Sequence, residues 1–294
     1  MARFEGSMVA IVTPMKSGEV DLARYRELVE WQVAEGTDCI VPCGTTGEGV
    51  TLSPAERTDV LRATVEGVHG RVPVVAGAGS SSTREAIEAV RLAKELHVDG
   101  ALVVTPPYNK PTQEGLFRHY AAIAEATRFP IIAYNVPSRT SVDLLPETTA
   151  RLVKAGAIVG LKDATASMDR QIQLLERIGR EGMVYLSGDD ASAAAYLLLG
   201  GHGVISVVAN VVPRARKELG LAARRGETAP AVDRQVRLAE LNRAMFIETS
   251  PAPVKAALGL MGRASAEVRL PLAPLSEASL ARLREAMVRY GVLP

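Results

Sequence analysis

Short apolar segments alternate with amphipathic segments from the start of the chain to about residue 225. The apolar segments have the length of buried strands, and the amphipathic segments show the spacing of helices. One strand and one helix together take about 20–30 residues with short links, which favours parallel strands joined by helices. The predicted strands are Met8–Thr13, Asp38–Cys43, Val72–Ala76, Ala101–Thr105, Pro130–Tyr134, Ala157–Lys162, Met183–Ser187 and Gly203–Val207.

Eight such units within about 220 residues favour a closed (β/α)8 barrel, the TIM-barrel architecture, over an open doubly wound α/β sheet. No Gly-x-Gly-x-x-Gly turn follows the first strand, which argues against a dinucleotide-binding fold. The rest of the chain has helical spacing only, with helices predicted at Asp233–Phe246, Pro253–Met261 and Ser276–Tyr290. We therefore predict a catalytic barrel domain over residues 1–225 and a C-terminal helical domain over residues 226–294.

Two helix starts are marked by their own sequence. Ser53-Pro54-Ala55-Glu56 combines a capping box with proline at the first helical position. Ser82 and Glu85 have the same spacing and predict a second capped start.

Composition and charge exclude several classes of protein. The chain is 23% charged with a net charge of +1, which gives no electrostatic case for binding nucleic acid or an anionic membrane. No apolar stretch approaches the length of a membrane helix. The segment Met1–Gly6 carries Arg3 and Glu5 and lacks the apolar region of a signal peptide. With Cys39 and Cys43 expected to be reduced thiols, we expect a soluble cytoplasmic protein.

A lysine ends the sixth predicted strand. Burial disfavours the ammonium form of Lys162 and lowers its pKa from the ordinary value of about 10.4. An amine with a pKa of roughly 7–8 is a nucleophile that can form a Schiff base with a carbonyl compound. The alternative is a lysine whose charged end reaches solvent at the end of the strand.

In this barrel class, catalytic groups lie at the C-terminal ends of the strands. Here those positions hold an amine for a carbonyl group, hydroxyls that can pass protons, and a guanidinium that suits a carboxylate. They are Thr45, Thr46, Tyr108, Tyr134, Arg139, Lys162 and the turn Gly188-Asp189-Asp190. Each also has a structural explanation that needs no function. The segment Gly44–Gly47 could be a simple turn rather than a turn whose backbone amides bind an anion. The two tyrosines could be half-buried packing residues, and Arg139 could form a surface ion pair. Glu48 and Asp163 are expected to orient neighbouring groups.

Metal binding is not expected. The four histidines have no metal-ligand spacing, and the two cysteines do not form a Cys-x-x-Cys pair. The glycine- and serine-rich stretch from residue 77 to residue 82 lacks the lysine of a phosphate-binding P-loop.

Several motifs resemble one enzyme family, the 4-hydroxy-tetrahydrodipicolinate synthases (dihydrodipicolinate synthases). They are Gly44-Thr45-Thr46-Gly47-Glu48, Tyr134-Asn135-Val136-Pro137-Ser138-Arg139-Thr140, Gly160-Leu161-Lys162-Asp163-Ala164 and Gly201-His202-Gly203-Val204-Ile205-Ser206. The resemblance extends from the first strand to the last helices and includes the segment from Glu248 to Lys255. The wider superfamily contains pyruvate-dependent class I aldolases and N-acetylneuraminate lyase. The tripeptide Ser138-Arg139-Thr140 is what indicates the synthase.

The resemblance implies a lyase that condenses pyruvate with aspartate 4-semialdehyde, in lysine and diaminopimelate biosynthesis, without a cofactor. Lys162 would form an imine with pyruvate, and Tyr134 would donate and accept protons beside it. Thr45 and Tyr108 would complete a proton relay, with Tyr108 reaching in from a neighbouring subunit of a homotetramer, a dimer of dimers. The residues implied to contact the substrates are Thr46, Ile205, Arg139 and Gly188, with Arg139 holding the carboxylate of the semialdehyde.

Two other functions stay open at this point. A related lyase, such as N-acetylneuraminate lyase or a 2-keto-3-deoxy sugar-acid aldolase, would use the same lysine and tyrosine with a different aldehyde. Arg139 argues against it, since a cation suits an aldehyde that carries a carboxylate. A non-catalytic barrel that senses a metabolite would be favoured if Lys162 or Tyr134 were replaced, and both are present.

The chain departs from the family at the positions implied for feedback regulation. Family members that are inhibited by lysine bind it in a cleft at the dimer interface, lined by histidines, an asparagine, a glutamate and a tyrosine. The matching positions here are Pro54, Arg57, Ser81, Glu85 and Pro107. Only the glutamate remains, and Arg57 adds a positive charge that repels a cationic ligand. We therefore expect no inhibition by lysine.

Overall fold

The computed structural model describes residues 4–294, so Met1, Ala2 and Arg3, part of the predicted N-terminal segment, lie outside it. Within that range the strands are β1 (Gly6–Ala10), β2 (Met15–Lys16), β3 (Glu19–Val20), β4 (Cys39–Val41), β5 (Val75–Gly77), β6 (Gly100–Val104), β7 (Ile131–Asn135), β8 (Gly160–Asp163), β9 (Val184–Ser187) and β10 (Gly203–Ser206). The strands β2 and β3 form a small antiparallel hairpin. The other eight form one sheet in the order β4-β1-β10-β9-β8-β7-β6-β5, with parallel pairing throughout.

The two ends of this sheet meet, which closes the barrel. The amide of Ile40 donates to the carbonyl of Pro73 at 3.1 Å, and the amide of Gly77 donates to the carbonyl of Pro42 at 2.9 Å. Ile40 and Val74 pair in parallel between these two bonds. The predicted (β/α)8 barrel is confirmed.

Helices cover the barrel and continue beyond it. In the described chain they are α1 (Leu22–Ala34), α2 (Pro54–Val68), α3 (Thr83–Glu95), α4 (Gln113–Thr127), α5 (Pro137–Thr140), α6 (Pro146–Lys154), α7 (Met168–Ile178), α8 (Ala193–Leu198), α9 (Pro213–Arg224), α10 (Thr228–Ala244), α11 (Ala252–Leu260) and α12 (Glu277–Tyr290). A 3-10 turn, Val208–Asn210, precedes α9. Both predicted helix starts are confirmed: Ser53 and Glu56 form a complete capping box, and the side chain of Ser82 accepts from the amide of Glu85.

The first strand lies earlier in the chain than the apolar pattern predicts. It ends at Ala10, although Ile11, Val12 and Thr13 are also buried. The chain leaves the regular ladder there, and the amide of Val12 donates to the side chain of Asn210 at 3.1 Å instead. A run of apolar residues in the sequence indicates burial, not strand pairing. Because residues stay buried here after strand pairing has stopped, the apolar run extends beyond the strand.

The barrel interior and the outer layer form separate apolar clusters. Met8, Leu102, Ile132 and Leu186 belong to the cluster that fills the barrel. An outer cluster joins helices of the barrel to the C-terminal helices, and its members include Val29, Leu61, Leu241, Val254 and Met287. The helical C-terminal segment is confirmed, while its separation as a domain at residue 226 stays a prediction.

None of the helices between residues 4 and 294 is long and apolar enough to cross a membrane.

Candidate active site

Lys162 lies in β8 and points into the barrel end beside β7. It is 6% exposed, so the alternative of a lysine that reaches solvent is wrong. Its partner across the ladder is Tyr134, and its other neighbour is Leu186. Gly188, predicted to contact substrate, makes room for the side chain, because a Cβ there would lie 2.9 Å from Cε of Lys162.

The surroundings of Lys162 produce a neutral amine near physiological pH. Burial is the main cause that lowers its pKa from 10.5 to about 7; the carboxylate of Asp190 opposes this shift, and the charge of Arg139 adds a smaller lowering. At pH 7 about half of the molecules then carry the free amine, against fewer than about one in a thousand for an ordinary lysine. The site therefore holds the nucleophile that Schiff-base chemistry requires.

Tyr134 is placed to move protons at that amine. Nζ of Lys162 lies 4.1 Å from the centroid of the Tyr134 ring. Burial raises the pKa of Tyr134 to about 12, opposed by the charge of Arg139 and by a hydrogen bond with the side chain of Thr45. The phenol is therefore protonated at rest and lines the same cavity as a second hydroxyl, that of Thr45, an arrangement that suits a proton relay.

Thr45 and Thr46 belong to the turn from Gly44 to Gly49, which follows β4. The hydroxyl of Thr13 donates to the carbonyl of Gly47 at 2.8 Å, and the amide of Gly49 donates to the carbonyl of Gly44 at 3.1 Å. Residue 49 must be glycine, because a Cβ there would lie 2.0 Å from the carbonyl oxygen of Cys43. The turn is therefore fixed, with Thr46 buried and Thr45 exposed at the rim.

Arg57 holds the same turn against the neighbouring strand. Its guanidinium donates to the carbonyl of Gly49 at 2.6 Å and to the carbonyl of Gly77 at 2.7 Å. From the sequence we expected Arg57 only to repel a cationic ligand. Nothing in the sequence around Arg57 indicates these two contacts with backbone carbonyl groups.

Arg139 lies on the short helix α5, directly after β7. Its side chain is exposed, and Nη2 donates to the carbonyl of Ser250 at 3.2 Å. Its charge still lowers the pKa values of Lys162 and Tyr134. Arg139 is thus an exposed cation close enough to act electrostatically on both groups.

Ile205 lies in β10, buried and paired with Met8 of β1. Its contact with a substrate stays a prediction.

Asp190 acts electrostatically on Lys162, and the sequence indicated it only as part of a turn. One carboxylate oxygen accepts from the amides of Val207 and Val208 at 2.8 and 3.0 Å, and the other lies 3.4 Å from Nε of Arg216. It raises the pKa of Lys162 against the effect of burial. In the sequence, the two successive acidic residues after a buried strand were the only indication of this site. Arg216 is buried in the structure, but in the sequence it resembles any other arginine of an amphipathic helix.

Asp163 and Glu48 bind neighbouring groups, as expected. Asp163 lies 2.8 Å from Nε of Arg170 and accepts from the amide of Thr165 at 2.9 Å. Burial raises its pKa and Arg170 opposes the rise. Glu48 forms a buried ion pair with Lys255.

Comparison with known proteins agrees with this geometry. The family model described as "Dihydrodipicolinate synthetase family" matches residues 3–289. The chain belongs to this family. A 4-hydroxy-tetrahydrodipicolinate synthase of Anaeromyxobacter dehalogenans strain 2CP-C is 70% identical over 292 residues, which are 99% of both chains.

Solved structures of the family share the fold over nearly the whole chain. A chloride-inhibited dihydrodipicolinate synthase from Acinetobacter baumannii, crystallised with pyruvate, is 46% identical with a TM-score of 0.96, covering 98% of this chain and 99% of that one. The enzyme of Cyanidioschyzon merolae, crystallised with lysine, is 35% identical with a TM-score of 0.96 and full coverage of both chains.

Tyr108, which the family resemblance implies is catalytic, does not join the other residues within one chain. It is 94% exposed, with a left-handed backbone at φ 73°. Lys162, Tyr134 and Thr45 are brought together, and Tyr108 is left projecting from the surface.

Residues 4–294 contain no group of three or more histidine, cysteine, aspartate or glutamate side chains that could hold a metal ion. The two cysteines are buried and free.

Proposed function

We propose that this protein is a lyase that condenses pyruvate with aspartate 4-semialdehyde to give 4-hydroxy-tetrahydrodipicolinate, in lysine and diaminopimelate biosynthesis. The observation that carries the proposal is Lys162, a buried amine with a pKa of about 7 beside the Tyr134 ring. Full-length relatives that are 70% and 51% identical carry the name of this enzyme.

The reaction begins when the neutral amine of Lys162 adds to C2 of pyruvate. Loss of water leaves a C=N bond, and the protonated imine withdraws electrons from the adjacent methyl group. Thr46 and the backbone of Ile205 hold pyruvate beside the lysine, and Gly188 leaves space there. Tyr134 supplies and removes the protons that these steps need.

Loss of one methyl proton converts the imine into an enamine. The enamine carbon attacks the aldehyde carbon of the semialdehyde, a carbon–carbon bond forms, and the aldehyde oxygen takes a proton. The amino group that came with the semialdehyde then attacks C2, closes the six-membered ring and displaces the amine of Lys162, so the C=N bond to the enzyme is replaced by a C=N bond within the product. Tyr134 and Thr45 form the relay for these protons, since both line the same cavity. Lys162 activates the carbonyl itself, so the proposal needs no external cofactor.

Two assays separate this proposal from its rivals. With pyruvate, we expect turnover with aspartate 4-semialdehyde and none with a sugar aldehyde. Turnover with the sugar alone would support a sugar-acid aldolase or N-acetylneuraminate lyase. Absence of turnover with both aldehydes would support a metabolite-sensing barrel.

Arg139→Ala is expected to raise the KM for the semialdehyde while leaving imine formation with pyruvate intact. A charge-assisted contact with a carboxylate contributes about 1.5–3 kcal/mol, or roughly 10- to 150-fold in kcat/KM. Steady-state kinetics with each substrate varied, together with borohydride trapping of pyruvate, measure the two effects. Equal loss of trapping and turnover would contradict the role given to Arg139.

We further propose that the protein is a cytoplasmic homotetramer built from two dimers. The exposure of Tyr108 supports this assembly, because the residue can complete a relay only in the site of another subunit. The buried free thiols and the metabolic substrates are consistent with a reducing compartment.

Lysine is expected not to inhibit the enzyme. The guanidinium of Arg57 is held in place by two carbonyl groups, and the carboxylate of Glu85 accepts from the hydroxyl of Ser80 at 2.6 Å. An ammonium ligand there meets a fixed positive charge and a carboxylate that is already bonded. Initial rates measured up to millimolar L-lysine should stay constant; half-inhibition below about 1 mM, a binding free energy of about −4 kcal/mol, would show a working cleft.

A further inference from the structure

A buried ion pair links the C-terminal helices to the turn that carries Thr45 and Thr46. Lys255 lies in α11 and is 0% exposed, and its ammonium contacts the carboxylate of Glu48, which is 2% exposed. The two residues are 207 positions apart in sequence. The contact therefore joins the helical extension to the active-site end of the barrel.

The Lys255–Glu48 ion pair is not an efficient way to increase the stability of the fold. Burying an ammonium and a carboxylate costs solvation free energy, and apolar residues of similar volume often serve stability equally well. Burial indeed lowers the pKa of Lys255, and Glu48 opposes that shift. A directional contact between charges, by contrast, fixes the position of the groups that carry them.

Glu48 is held on both sides of its carboxylate. One oxygen contacts Lys255, and the other accepts from the amide of Arg269 at 2.9 Å. Its backbone lies in the left-handed region at φ 52°, its amide donates to the carbonyl of Thr45 at 3.1 Å, and its carbonyl accepts from the amide of Thr51 at 2.9 Å. The position of Glu48 therefore sets the path of the turn at Thr45.

The same helix also approaches the second side of the site. The carbonyl of Ser250, two residues before α11 begins, accepts from Arg139 at 3.2 Å. One element of the extension thus contacts both the threonine turn and the arginine proposed to bind the semialdehyde.

We propose that Lys255 is a positioning residue: through Glu48 it fixes the turn that carries Thr45 in the cavity it lines with Tyr134, and so sets the rate of proton transfer at the pyruvate imine. The inference rests on the proposed function, and it extends that function to a residue that contacts neither substrate.

The test compares Lys255→Met with the double variant Glu48→Gln/Lys255→Met, which leaves no uncompensated buried charge. Lys217→Met is the control for the loss of a paired lysine, since Lys217 forms a partly exposed pair with Asp38 at the opposite, N-terminal end of the strands. Each variant is measured for borohydride trapping with pyruvate, for exchange of the pyruvate methyl protons in D2O, and for thermal melting.

We expect both Lys255 variants to trap pyruvate within about threefold of the wild type and to exchange methyl protons about 10²-fold more slowly, the scale of a misplaced catalytic group. The control should change neither quantity by more than about twofold. A variant whose turn is displaced should still show a cooperative melting transition, whereas an unfolded variant should not. If Lys255→Met unfolds, the double variant can still be measured.

A folded double variant with an exchange rate near that of the wild type would overturn the inference, because the pair would then serve stability alone. Equal losses of trapping and exchange would also overturn it. A wild-type protein that neither traps pyruvate nor condenses it would instead overturn the proposed function itself, so the two failures are distinguishable.

Discussion

Lys162→Ala is expected to lower kcat for the condensation by about 10⁵- to 10⁶-fold, the scale seen when a covalent nucleophile is removed. No described neighbour supplies a second amine at this position, since the groups around Lys162 are Tyr134, Leu186 and Gly188. The variant should fold normally, because burial disfavours the charged form of this lysine and its loss removes that cost. Turnover with both substrates and the melting temperature measure the two effects.

Lys110→Ala is the control for this prediction. Lys110 is exposed and follows the projecting Tyr108, so its loss should change kcat by less than about twofold. A Lys162→Ala enzyme that keeps more than about 1% of wild-type turnover would contradict covalent catalysis by this residue.

Tyr134→Phe is expected to slow turnover by roughly 10²- to 10⁴-fold, the range for loss of a general acid–base group. The substitution keeps the ring whose centroid lies 4.1 Å from Nζ of Lys162 and removes only the hydroxyl. The pocket should therefore keep its shape while the relay is broken. The measurement is kcat with both substrates, alongside a melting curve.

Tyr120→Phe is the matched control for the loss of a buried phenol. Its hydroxyl donates to the carbonyl of Val103 at 3.0 Å, and its ring belongs to a different apolar cluster from that of Tyr134. We expect a stability loss of about 1 kcal/mol and an unchanged kcat. If Tyr134→Phe turned over within about tenfold of the wild type, Tyr134 would not be the principal proton carrier.

The barrel was predictable because its strands are short, apolar and regularly spaced. The rule that catalytic groups lie at the C-terminal ends of strands then selected Thr45, Tyr134 and Lys162 from the sequence, and the structure brings these three together. The ends of β1 were not predictable to the residue, since Ile11 and Val12 stay buried after strand pairing has stopped.

Long-range partners of the site were not predictable. The Asp190–Arg216 contact joins a turn to a helix, and each residue alone resembles an ordinary surface charge in sequence. Lys255 gave a weak signal as a single cation in an apolar helix, but its partner Glu48 lies in another part of the chain. The role proposed for Tyr108 requires a second subunit, and a single sequence does not specify that neighbour's position.

The most direct test of covalent catalysis by Lys162 is to treat the wild-type protein with pyruvate and borohydride and to locate the adduct by peptide mass spectrometry. Borohydride reduces an imine to a stable secondary amine, so the modified residue identifies the nucleophile. We expect a single pyruvate-derived adduct on Lys162. An adduct on Lys110 or Lys255 in its place, or no adduct, would contradict covalent catalysis by Lys162.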